Sequence, residues 1–429
     1  MFQFQKTFCA SLTTLASVVV FVATPSFSAT RCVNSSGNGC LQTINQALSL
    51  SAPGDVIRIQ AGIYNESVTI KQPISLIGDG RDRVIINALG LSNGIFVDGT
   101  SAAPNSGITG VVISGLTVEN ANFEGILVAN ATGVTISNNQ VIQNNRSLNI
   151  SAGQCPGIPA FETNEGEDCG EGLHLMAVDH SVVSNNIVKN NAGGILITDE
   201  TGPNHDNIIT GNTVSNNVYD CGITLASHGP ATISGLKLPA GVYHNTISGN
   251  VSSGNGIQVP GAGAGVGIFA PFPGTKAYGN VVVNNTLTGN GQPGVTMHNH
   301  AYSANAPAVD MDDNVIVGNQ ISGNAADLDD AATPGTAGIN LFSLAPVNGT
   351  IIAQNTIRSQ QNAVVVNIPS GTVQVHLNNL QTTVGVNNLG AGKIDASNNY
   401  WGCSAGPGNY GCAGVVGTVT VGPAATTPF

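Results

Sequence analysis

Seven times between residues 125 and 344 the chain places a glycine before an aliphatic–variable–aliphatic triplet. The copies are Gly125-Ile126-Leu127-Val128, Gly172-Leu173-His174-Leu175, Gly194-Ile195-Leu196-Ile197, Gly222-Ile223-Thr224-Leu225, Gly265-Val266-Gly267-Ile268, Gly294-Val295-Thr296-Met297 and Gly338-Ile339-Asn340-Leu341. Alternation at period two with β-branched residues predicts strands, and no stretch between the copies carries a helical period. The shortest interval, Gly172 to Gly194, is 22 residues, a solenoid spacing. A unit that short cannot enclose a core and must stack on its neighbours. The pattern predicts an all-β solenoid, one elongated domain over residues 29–429. Between the strands run pieces such as Asn185-Asn186-Ile187-Val188-Lys189-Asn190-Asn191. Asparagine and the 55 glycines suit left-handed corners between short strands.

The two ends read differently. Leu41, Ile44 and Leu48 have the spacing of a short amphipathic helix, which predicts an N-terminal cap over about 29–60 that shields the first coil. A C-terminal cap is expected over about 396–429, around the only tryptophan, Trp401. Residues 1–28 read as a secretory signal: Lys6, an apolar stretch from Leu12 to Ala23, then small residues near Ser28 and Ala29. The mature protein is therefore expected to be secreted or periplasmic, with no membrane span.

Cysteine use suits an oxidising compartment. Three sequence-close pairs are expected as disulfides, Cys32–Cys40, Cys155–Cys169 and Cys403–Cys412, with Cys221 as a small buried ladder residue. The formal charge of −12 argues against nucleic acid and against an acidic membrane surface. A monomer is expected.

The phrases Ala52-Pro53-Gly54-Asp55, Gly62-Ile63-Tyr64-Asn65-Glu66 and Ile77-Gly78-Asp79-Gly80 resemble the opening coils of right-handed parallel β-helix proteins of the pectate-lyase-like superfamily. The ending Asn398-Asn399-Tyr400-Trp401-Gly402 is similar to that class too, including its NosD-like repeats. The resemblance implies a right-handed parallel β-helix. It selects no enzyme family, since neither polygalacturonase aspartate motifs nor the Asp-Pro-His-Asp motif of alginate epimerases stands in the chain.

Aligned on the glycines, the repeats stack their variable positions in columns about 4.8 Å apart. Positions two, four and six are expected to face outwards, because side chains alternate. They hold His174 and Thr224 at position two, Phe269 and His298 at four, and Glu200, His228 and His300 at six, with Asp199 beside Glu200. So many imidazoles and an acidic pair in so uncharged a chain point to a groove on one sheet. Glu200 and His228, on neighbouring rungs, are expected within hydrogen-bond reach.

In the first reading the protein is a polysaccharide lyase or related epimerase. His228, His298, His300 and Tyr302 would be acid and base, Glu200 and Asp199 their carboxylates, and His174, Thr224, Phe269, Lys237 and Lys276 would hold substrate. One alternative is a glycoside hydrolase or transferase on a neutral glycan, pairing Asp199 or Glu200 with Asp179 or Glu171. The other is a non-enzymatic carbohydrate-binding or surface protein. No cofactor is required, though Glu165, Glu167 and Asp168, near Glu162 and Glu171, could hold calcium through hard oxygen ligands. His205-Asp206-Asn207 and Asp312-Asp313-Asn314 read as turn chemistry.

Overall fold

The computed structural model describes residues 28–145, 170–228, 240–258, 262–299, 309–328 and 331–429. Its strands wind into three parallel sheets of 14, 11 and 16 strands, each running the length of the molecule. Consecutive rungs of one sheet come from consecutive turns of the chain. In the third sheet Ile126 pairs with Leu173, which pairs with Ile195, then Ile223, Val266, Val295 and Ile339. Those are the residues after the seven repeat glycines, so the repeat alignment is the structural register. The aliphatic residues at positions one and three are all in the continuous buried core.

Sheet pairing reaches into both of the expected caps. Thr30–Val33 already pairs with Val56–Ile59 in the first sheet, and Gly414–Val416 and Val419–Thr420 still extend the third and first sheets. The capping helix is Ile44–Ser49, with Thr43 as its N-cap and Ile44 and Ala47 buried. Glu66 reaches from the next coil to accept from the backbone N–H groups of Ile44 and Asn45 at 2.8 and 3.0 Å, filling donors that a helix start leaves without partners. At the far end Trp401 is fully buried and lies against Gly385, where a Cβ would collide with its ring. Cys32–Cys40 and Cys403–Cys412 are disulfides, and Cys221 is a buried thiol. Cys155 and Cys169 lie outside the described residues. Among the described residues no helix is long and apolar enough to cross a membrane.

The paired asparagines divide their work. In pairs such as those beginning at Asn138, Asn185, Asn284 and Asn398 the first residue takes the left-handed corner. The second turns inwards and joins a buried ladder. One ladder runs Asn139, Asn186, Asn212, Asn250, Asn285, Asn319, Asn355, Asn378 and Asn399, each Nδ2 donating to the next Oδ1. A second runs from Asn144 to Asn324, and a third from Asn207 to Asn314. These amides satisfy backbone groups at corners that would otherwise be buried without partners.

Candidate functional site

The third sheet carries His174 and His298 on its strands and His228 just past one, but these side chains do not stand open to solvent. His174, Asp199, Glu200, Thr224 and His298 are all buried, and the His228 side chain is 4% exposed. Alternation along a strand tells which side a residue faces and nothing about what lies over that side. Position six also fails as one column. Asn130 and Ala177 take positive φ, so the strands kink there and return Ala131 and Val178 to the core.

Burial draws the polar groups into pairs. His228 Nδ1 stands 2.7 Å from Glu200 Oε1, the neighbouring-rung contact expected from the columns. With Nδ1–H donating to the carboxylate, Nε2 is the basic nitrogen. Burial alone would raise Glu200, yet the charge and hydrogen bond of His228, with His174 and Thr198, bring it down to about 2. Asp199 serves the backbone instead. It accepts from the His228 N–H at 2.8 Å, the Ser227 hydroxyl at 2.8 Å and the Gly241 N–H at 2.6 Å, so it fixes the turn that carries His228. Burial, then the neighbouring Glu200 charge, pushes it up to about 6.

His174 has both ring nitrogens engaged, Nδ1 with Glu124 at 3.1 Å and Nε2 with Thr198 Oγ1 at 2.8 Å. It therefore links buried groups rather than lining an open subsite. Glu124 and Glu171 each precede a repeat glycine by one residue, and the register stacks them on adjacent rungs. Burial first, then the charge of Glu124, holds Glu171 well above the usual carboxylate range. Glu124, Glu171 and His174 have ligand atoms within 4.8 Å of one another, close enough to gather around a cation.

Two rungs beyond the His228 strand, His298 Nε2 meets Asp327 Oδ2 at 2.8 Å, with Thr296 and Asn340 also at that nitrogen. Phe269 and Phe342, its column neighbours, present edges to the ring at 5.5 and 6.4 Å. Thr224 contacts Asp220 at 3.3 Å rather than facing solvent. Lys276 is exposed, and its backbone N–H donates to Ser227 Oγ. His300, Tyr302, Lys237, Glu165, Glu167 and Asp168 lie outside the described residues. Glu124 and Asp327 are the acidic partners that the repeat columns missed.

The network has a pH signature. Glu200 is lower in the folded protein than in the unfolded chain, so its contribution is full above about pH 4.5 and is lost as pH falls towards 2. The shift corresponds to roughly 3 kcal/mol. Glu200→Gln is expected to be less stable than wild type at pH 7, and the two unfolding curves should converge between pH 4.5 and 2. Urea unfolding across that range is the check, and a constant gap would contradict the charge pairing.

The family model described as right handed beta helix region matches residues 85–269. The chain folds as a parallel β-helix, and the match gives the right-handed form over residues 85–269. Solved structures similar to it include the mannuronan C-5 epimerase AlgE4 A-module of Azotobacter vinelandii, 15% identical over 89% of this chain and 93% of that one, with TM-score 0.46. The alginate lyase of Paenibacillus sp. str. FPU-7 is 14% identical over 93% and 96%, with TM-score 0.42. The Dettilon tailspike protein is 12% identical over 88% and 64%, with TM-score 0.51. No curated protein matches the sequence. The likeness to the tailspike is one of fold, and function has to come from the site.

An open depression of about 940 Å³ lies elsewhere on this β-helix, between Thr372–His376 and Gly392–Asp395 of the first sheet. Its imidazole–carboxylate contact, His376 to Asp395 at 3.3 Å, leaves Asp395 half exposed. Size favours the depression; concentration of chemistry favours the third sheet. We propose the third sheet as the site, because among the described residues it carries several buried imidazole–carboxylate pairs along one face.

Proposed function

We propose that the protein is an exported carbohydrate-active enzyme that moves protons on a polysaccharide, a lyase or related epimerase, at the outer side of the third sheet. The observation that carries this reading is the buried Glu200–His228 pair at 2.7 Å. It gives the imidazole a fixed tautomer and an ionised partner, as a general base requires. His228 Nε2 would take the proton next to a uronate carboxylate while Glu200 stabilises the resulting imidazolium. His298, held by Asp327, would handle the proton on the other side of the sugar. Asp199 positions His228 through the backbone and does not touch substrate. A linear polymer suits a face built from rungs repeating about every 4.8 Å. The disulfides Cys32–Cys40 and Cys403–Cys412 suit an oxidising compartment.

One observation favours a second reading, a glycoside hydrolase. Among the described residues the network's ion pairs are imidazole–carboxylate, and burial holds the Glu171 carboxyl well above the usual carboxylate range, the direction a proton donor to a leaving oxygen needs. Incubation of the secreted protein with a glycan panel separates the two. The lyase reading expects unsaturated products absorbing in the ultraviolet, and the epimerase reading expects changed uronate composition without cleavage. New reducing ends without unsaturation would move the assignment to hydrolysis. No change in any glycan would overturn both.

A further inference from the structure

The corner after the long third-sheet strand Glu171–Asp179 repeats one backbone state on every turn. Its residues are Gly110, Gly133, His180, Asp206, His244, Gly279, Asp313 and Gly349, all at positive φ. Glycine is unstrained there, and aspartate and histidine are among the side chains that tolerate it best. Two histidines occupy this position, one rung to either side of Asp206. His205, next to Asp206 in the chain, adds a third imidazole.

From this geometry we infer a transition-metal site at the corner, with His180, His205, Asp206 and His244 as ligands. His180, His205 and Asp206 have ligand atoms all within 4.8 Å of one another. Asp206 stands at the centre: His205 Nδ1 is 2.8 Å from its Oδ2, His180 Nε2 is 4.0 Å from Oδ2, and His244 Nδ1 is 3.9 Å from Oδ1. A metal bound at about 2.1 Å from each donor would sit among His180, His205 and Asp206, with the exposed His244 ring turning in from the next rung to join them.

The supporting shell is built as metal sites build it. Asp179 accepts from His180 Nδ1 at 2.7 Å, which leaves Nε2 to face Asp206. Asp179 is itself held by Asn105 and Thr132, at 2.8 and 2.9 Å. Carboxylate–histidine pairs of this kind fix the tautomer and orientation of a metal-binding imidazole. His205 is stacked on Tyr243 at 4.8 Å, and Tyr243 on Tyr278 at 5.0 Å. Those ring faces are taken, so the column offers edges rather than a platform for sugar. Gly279 leaves room for the His244 ring, which a Cβ there would strike at 2.8 Å. His180 and His244 are 65% and 57% exposed, so an ion can enter from solvent. Three imidazoles and one carboxylate suit Zn²⁺, Cu²⁺ or Ni²⁺ rather than calcium.

Titration calorimetry with zinc chloride on the chelator-treated protein is the test. One Zn²⁺ per chain is expected. His180→Asn and His244→Asn, which keep a residue tolerant of positive φ, should each weaken binding at least tenfold. His376→Asn, away from this corner, should leave binding unchanged, and all three variants should melt like wild type without metal. Absence of Zn²⁺ binding by the wild type would overturn the site. So would binding that survives His180→Asn together with His244→Asn, since the ion would then sit elsewhere.

Discussion

Asn285→Ala is expected to cost on the order of 3–5 kcal/mol of stability, although it removes no charge and little apolar surface. The side chain sits in the longest asparagine ladder. Its Nδ2 donates to the Ile247 carbonyl at 2.9 Å and to Asn319 Oδ1 at 3.0 Å. Its Oδ1 accepts from the Asn250 N–H and from Asn250 Nδ2, at 2.9 and 3.0 Å. Truncation orphans groups on both neighbouring rungs, each buried, and each costs about 1–3 kcal/mol to leave without a partner. Partial relaxation within the network keeps the total below the simple sum. The neighbour supplies the control. Asn284 is exposed and holds the left-handed corner at φ 55, so Asn284→Gly should change stability by no more than about 0.5 kcal/mol. Urea unfolding and hydrogen exchange on both variants check this pair. Equal effects would mean that the ladder adds nothing beyond corner geometry.

That contrast also shows what the chain discloses and what it withholds. The glycine–aliphatic phrase carries the register, because core-facing residues must recur at the same place on every rung. The identity of neighbouring asparagines as one corner and one ladder residue is not visible in composition, since both occupy the same dipeptide. The Glu200–His228 contact was readable because column position and rung spacing alone bring the two together. Glu124 left a faint signal, standing one residue before a repeat glycine as Glu171 does. Asp327 left none, because it reaches His298 from a segment outside the repeat phrase. The burial of His174, Asp199, Glu200 and His298 was likewise illegible. A two-residue period separates inside from outside and is silent on what lies above the sheet, so His174 looked like a groove residue when both its nitrogens are engaged.

The second large effect concerns His228. Its Nδ1 meets Glu200 and its backbone N–H donates to Asp199, so both the ring and the turn that carries it are held in place. Removing a general base in that position lowers turnover by about 10²–10⁴-fold. His298→Ala is expected to be as damaging if the second proton passes through the Asp327-held ring. His174→Ala should act mainly on stability, because that residue joins Glu124 to Thr198 inside the fold. Glu200→Gln keeps the shape of the pair and removes its charge, so it should lower kcat more than it changes KM.

The most direct measurement is the kcat of His228→Ala on the glycan identified by product analysis, alongside its circular dichroism and melting curve. The account predicts turnover reduced at least a hundredfold with the β-sheet spectrum and cooperative melt retained. Wild-type turnover in a folded His228→Ala protein would contradict it, and would make the Glu200–His228 pair a structural tie between rungs rather than the seat of the chemistry.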